Sequence, residues 1–137
     1  MTSLDTVHIV INPELSGPIP TEFGKLSLMR DMELLENALT GTLPSELGNM
    51  AALEILYTGN NMLSGTIPTE IGRLSSLIFW TSYLDNLEGP IPSEIIQLSN
   101  TLILLRLSNN ELTGPLPSEL GALKALEILD LVSSLDS

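Results

Sequence analysis

Apolar residues along this chain recur in one cadence, three positions apart and then two, and this is not the three-and-four alternation of a long amphipathic helix. Leu102, Leu105, Leu107, Asn110 and Leu112 give the full series, and Leu53, Leu56, Asn61 and Leu63 hold four of its five offsets. Near the start, Leu4, Val7, Ile9 and Asn12 repeat the first part of that series. A two-residue step puts both side chains on one face of an extended strand and the residue between them on the other. The pattern therefore predicts short strands with one buried face and one free face. A strand that returns about every two dozen residues, with a return segment between, stacks in parallel with its own copies.

The return segments carry a second signal. The hexapeptide G-x-[IL]-P-[ST]-E begins at Gly17, Gly41, Gly65, Gly89 and Gly114, at spacings of 24, 24, 24 and 25 residues. The extra residue of the fourth unit falls between Leu98 and Leu102. Pro20, Pro44, Pro68, Pro92 and Pro117 cannot continue a helix already under way. The Ser or Thr after each is expected to cap a brief 3-10-like turn, and Gly24, Gly48, Gly72 and Gly121 to end it. Each unit offers about seven inward apolar positions, at roughly 1.5–3 kcal/mol per buried side chain. One unit cannot stand alone against about 1.5 kcal/mol of ordering entropy per residue. Burial between neighbours has to make the stack stable.

In sum, each unit reads G-x-I-P-x-E-L-G-x-L-x-x-L-x-x-L-x-L-x-x-N-x-L-x, and on these motifs the chain resembles the plant-type leucine-rich repeats. The likeness covers nearly all of residues 4 to 137. It implies an α/β fold: a right-handed leucine-rich-repeat solenoid with a concave parallel β-sheet and short 3-10 turns on the outer side. Residues 1–137 read as a single solenoid of one partial and about five further units, without recognisable caps. In that family the recurrent Asn lies inside the turn and hydrogen-bonds neighbouring backbone as a ladder. Asn12, Asn37, Asn61 and Asn110 fit it, whereas Asp85 and Ser134 depart, so the third and last units are expected to be looser. Trp80 takes an inward Leu position beside Ser82 and Thr58, which reads as volume compensation.

Composition narrows the function. Seventeen acidic against five basic residues give a net charge of −12, which phosphate backbones and acidic headgroups repel, so neither nucleic acid nor direct membrane contact is expected. There is no cysteine and a single histidine, His8, with Glu33 expected across from it; no catalytic residue, metal site or cofactor is expected. Met1 to Asn12 lacks the features of a signal peptide, and no N-x-[ST] sequon is present. As it stands the chain reads as cytoplasmic, although similar proteins are extracellular or membrane-anchored. The last unit is cut within its pattern, which suggests a piece of a longer receptor-type array.

The free sheet face is the expected recognition surface. Its first column is His8, Glu33, Tyr57, Thr81, Arg106 and Asp130; two residues further on run Val10, Leu35, Gly59, Tyr83, Ser108 and Val132. Tyr and Arg are enriched among interface hot spots. The expected partner-binding residues are thus Tyr57, Thr81, Tyr83, Arg106, Glu33 and Asp130, with a protein or peptide as partner. A flanking stripe of Ile55, Phe79, Leu104 and Ile128 reads as packing. The glutamate column Glu22, Glu46, Glu70, Glu94 and Glu119 reads as a solvated face, with Lys25 and Arg73 placed to pair with Glu22 and Glu70. The resemblance adds an alternative, inhibition of a secreted hydrolase such as polygalacturonase. A partnerless structural fragment is the third possibility.

Overall fold

A computed structural model describes residues 4–132. Its eleven strands alternate between two roles. In chain order they are β1 (Thr6–His8), β2 (Asn12–Pro18), β3 (Asp31–Glu33), β4 (Asn37–Thr40), β5 (Ile55–Tyr57) and β6 (Ser64–Thr66). There follow β7 (Phe79–Thr81), β8 (Asn86–Gly89), β9 (Leu104–Arg106), β10 (Glu111–Leu112) and β11 (Ile128–Asp130). The odd-numbered strands form one six-stranded parallel sheet in sequential order. Met32, Leu56, Trp80 and Leu105 lie side by side in it and are fully buried. Leu129 holds the same place on β11 but is 44% exposed, because no further described coil lies beyond it. The chain is a leucine-rich-repeat solenoid, and its leucine pattern is the stacked core.

Five 3-10 turns, Thr21–Lys25, Ser45–Asn49, Thr69–Arg73, Ser93–Leu98 and Ser118–Ala122, stack on one another on the far side of each coil. Proline stands immediately before each, in extended conformation. The hydroxyls expected to cap these turns make no cap hydrogen bond; each instead lies 3.3–3.5 Å from the carboxylate of the next residue. Those carboxylates are held there, and among the described residues neither Lys25 nor Arg73 closes the expected ion pair. The glycines do not end the turns either. Gly48 lies within one, where an added Cβ would sit 2.5 Å from the Glu70 carbonyl oxygen of the next coil. Its role is close approach between coils.

Two features were not foreseen. The even-numbered strands pair in parallel as β2–β4 and β6–β8–β10, giving each coil a second, lateral ladder. The segment leading into G-x-I-P is extended, and in-register stacking brings it alongside its own copy. Gly41 and Gly65 close it at φ +77° and +74°, conformations that favour glycine. The fourth coil lodges its extra residue behind the sheet. Its turn is six residues long and carries Ile96 where other coils have glycine, yet Phe79, Trp80 and Thr81 still face Leu104, Leu105 and Arg106.

The third coil satisfies its buried polar groups internally. Trp80 Nε1 donates to Ser82 Oγ at 2.9 Å, and Ser82 Oγ lies 2.6 Å from Thr58 Oγ1, all three residues being fully buried. The small residues beside Trp80 thus supply hydrogen bonds as well as room. Ser82→Ala should cost about 1–3 kcal/mol, since it strands the indole N–H in an apolar core. Urea unfolding is the check, and an unchanged midpoint would mean the indole finds another acceptor.

Candidate partner-binding surface

The free face of the six-stranded sheet holds the first column in the expected register: His8, Glu33, Tyr57, Thr81, Arg106 and Asp130 are direct neighbours from strand to strand. Period-two alternation brings them to one face, and the parallel ladder sets them abreast. Their environments differ. Tyr57 and Arg106 are half-buried, whereas Thr81 is only 7% exposed and forms floor between them.

The centre of the face is a linked set. The Arg106 guanidinium carbon stands 5.8 Å from the centroid of the Tyr83 ring, a cation–π distance. Arg106 Nε lies 3.1 Å from Asp130 Oδ2, and that oxygen also accepts from the Ser108 hydroxyl at 3.1 Å. Asp130 thereby pairs with Arg106 as a charge, without a hydrogen bond to Nε, and Arg106 lies over Tyr83. Gly59 leaves the space that the Tyr83 ring fills, for a Cβ there would lie 2.6 Å from Tyr83 Cδ1. Tyr57 is raised above the ordinary phenol range, first by burial and then by the carboxylates of Glu33 and Asp31. It is therefore a neutral hydrogen-bonding phenol at physiological pH.

At the N-terminal edge, His8 Nε2 lies 2.8 Å from Asp31 Oδ2 and 3.9 Å from Glu33 Oε1. The hydrogen bond to Asp31 holds the imidazole above its usual pKa. Ligand atoms of His8, Asp31 and Glu33 all lie within 4.8 Å of one another, the one group among the described residues that could hold a metal ion. Asp31 escapes a reading centred on alternate strand positions, because it precedes the inward Met32 while His8 and Glu33 follow their inward residues. Here His8 Nε2 is already engaged by Asp31.

The remaining predicted features lie apart from this centre. Ile55, Phe79 and Leu104 are half-buried along the sheet flank and Ile128 is exposed. The glutamate column follows the 3-10 turns. No described helix is long and apolar enough to cross a membrane.

A family model described as Leucine Rich Repeat matches residues 52–74 and 101–123. Among curated proteins none matches the chain. Among solved structures, the chain is similar to the LRR ectodomain of the plant membrane receptor kinase GASSHO1/SCHENGEN3 from Arabidopsis thaliana, in complex with CASPARIAN STRIP INTEGRITY FACTOR 2. That match has 40% identity and a TM-score of 0.85, and covers 87% of this chain and 14% of the other. The plant peptide hormone receptor RGFR1 in complex with RGF2 is 35% identical at a TM-score of 0.88, with 91% and 20% covered. A plant ice-binding protein is 25% identical at 0.85, with 95% and 49% covered. The chain thus spans about a seventh and a fifth of the two receptor chains.

Proposed function

Since the chain is a leucine-rich-repeat protein of the plant type, we propose that it is a non-catalytic module that captures a peptide or protein on the exposed, concave face of its six-stranded sheet. The observation that carries this reading is the linked set Tyr83–Arg106–Asp130, with Tyr57 on β5, the strand paired with β7. It offers two amphipathic rings and a guanidinium held by an ion pair at the middle of the sheet face. Peptide recognition by RGFR1 supports it, since that receptor shares the fold. Tyr57, Tyr83 and Arg106 would make the contacts, Thr81 would back them, and Glu33 and Asp130 would border them. Because Asp130 already neutralises Arg106 and the chain carries −12, the partner should be neutral or cationic where it meets Glu33. The ice-binding neighbour shows that this fold serves more than one purpose, so the assignment rests on the site.

Panning a random peptide library against the immobilised chain, then measuring selected peptides against Tyr57→Ala/Tyr83→Ala, tests the proposal. One hot-spot side chain at about 2 kcal/mol corresponds to about 30-fold, so loss of both central tyrosines should weaken binding by more than that. The circular dichroism spectrum should not change. Equal binding by the double variant would exclude the patch. A drop in turnover of fungal polygalacturonase in the presence of the chain would favour the inhibitor alternative.

A further inference from the structure

The side-chain ladder inside the coils has one irregular rung. Asn37 Nδ2 donates to the carbonyls of Ile9, Leu34 and Leu35 at 2.7–3.0 Å. Asn61 Nδ2 donates to Leu34, Thr58 and Gly59, and Asn110 Nδ2 to Ser82, Leu107 and Ser108. Each Oδ1 accepts from backbone of the preceding coil, as Asn37 Oδ1 does from the Asn12 N–H. The third coil places Asp85 at this rung, 6% exposed. Asp85 Oδ1 behaves like the amide oxygens, accepting from the N–H groups of Asn61 and Leu63 at 3.1 and 3.2 Å. Asp85 Oδ2 is enclosed and has no hydrogen-bond partner.

At every other described rung of this kind the equivalent atom is a donor aimed at carbonyls. The corresponding carbonyls for Asp85, counted back along the repeat, are those of Thr58, Ser82 and Tyr83. By that correspondence an ionised Oδ2 has nothing to accept from and faces acceptors, whereas a protonated Oδ2 donates as the amides do. We propose that Asp85 is a protonation switch in the turn that follows Tyr83: the neutral acid closes the ladder, and ionisation opens it beneath the aromatic patch. Its bearing on recognition rests on the reading of that patch given above; the behaviour of the turn does not.

The electrostatics agree with the geometry. Burial raises the carboxyl to about 7 from 3.8, against the lowering effect of the two backbone hydrogen bonds from Leu63 and Asn61. The adjoining rungs, Asn61 and Asn110, are neutral. No charged or titratable group on the coils packed around it, Tyr57, Tyr83, Glu88, Arg106 and Glu111 among them, contributes to the shift. The turn holds Leu84 at φ +54°, as the equivalent residues Ile11, Glu36, Asn60 and Asn109 are held in the other coils.

A folded-state pKa above the unfolded one means that the folded protein keeps a proton the unfolded chain gives up. Stability from this group is therefore full below pH about 4, falls as pH rises towards 7, and is level above that. In the falling range the folding constant drops about tenfold per pH unit through this group. Asp85→Asn restores the donor. It should fold more tightly than the parent at pH 7.5, by at least tenfold in the folding constant, with the gap closing towards pH 4. The Asp85 Cγ resonance should titrate near pH 7, and the Tyr83 and Leu84 amide resonances should move with the same midpoint in the parent only. An ordinary carboxylate midpoint, or an Asn variant no more stable at pH 7.5, would overturn the proposal. If Asp85 titrates as described while Tyr57→Ala/Tyr83→Ala leaves peptide binding intact, the switch stands and the binding assignment falls.

Discussion

Gly48→Ala should lose about 3 kcal/mol of stability or more, while Gly121→Ala, the same repeat position two sites further along the glycine series, should lose nothing measurable. The two glycines sit in equivalent 3-10 turns. An added Cβ at Gly48 would lie 2.5 Å from the Glu70 carbonyl oxygen and 2.8 Å from Glu70 Cβ, and these belong to the backbone and first side-chain atom of the next coil. No rotamer change relieves that contact; the coils must move apart, which disturbs both parallel ladders. At Gly121 nothing lies within 4 Å. There the methyl reduces only the freedom of the unfolded chain, a gain of about 0.4–1 kcal/mol. Guanidinium unfolding of the two variants beside the parent measures the difference. Equal stabilities would mean that the coils are not packed as closely as described.

Leu56→Asp should abolish the cooperative folded state, and Leu129→Asp should be tolerated within about 1 kcal/mol. Both residues hold the same inward position, but Leu56 is fully buried between Met32 and Trp80 and Leu129 is 44% exposed. Removing a buried leucine costs about 2–5 kcal/mol, and a carboxylate without a partner in that core adds its own desolvation. Total stabilities are only about 5–15 kcal/mol. Far-ultraviolet circular dichroism and size-exclusion profiles distinguish the outcomes. A native-like Leu56→Asp protein would place that residue on the free face and shift the whole sheet by one position.

The sheet and its free column were readable in advance because two independent periods agree, the two-residue alternation within a strand and the 24-residue return between strands. Tyr57, Thr81 and Arg106 fall in register on that basis alone. Side-chain accessibility was less readable, as Thr81 shows: a position facing outward still ends up covered when both neighbours are large. The lateral ladder has no signature in the sequence because its strands have no apolar alternation; backbone pairing there follows from stacking. The hydroxyl caps failed for a local reason, since the following glutamate lies beside each hydroxyl and no cap bond forms. The departure at Asp85 was visible as a change of residue type. That one of its oxygens lacks a partner depended on three neighbouring turns at once. The expectation for Ser134 lies outside the described residues.

The longer fourth coil has a consequence for how such arrays diversify. Its surplus residue is absorbed at the back, with Ile96 in place of glycine, while the front keeps Tyr57, Thr81 and Arg106 abreast. Length errors during repeat duplication can therefore accumulate without scrambling the order in which recognition side chains are displayed. Front and back can drift on separate clocks, and a new binding preference can arise by exchanging single letters on the strands without rebuilding the scaffold.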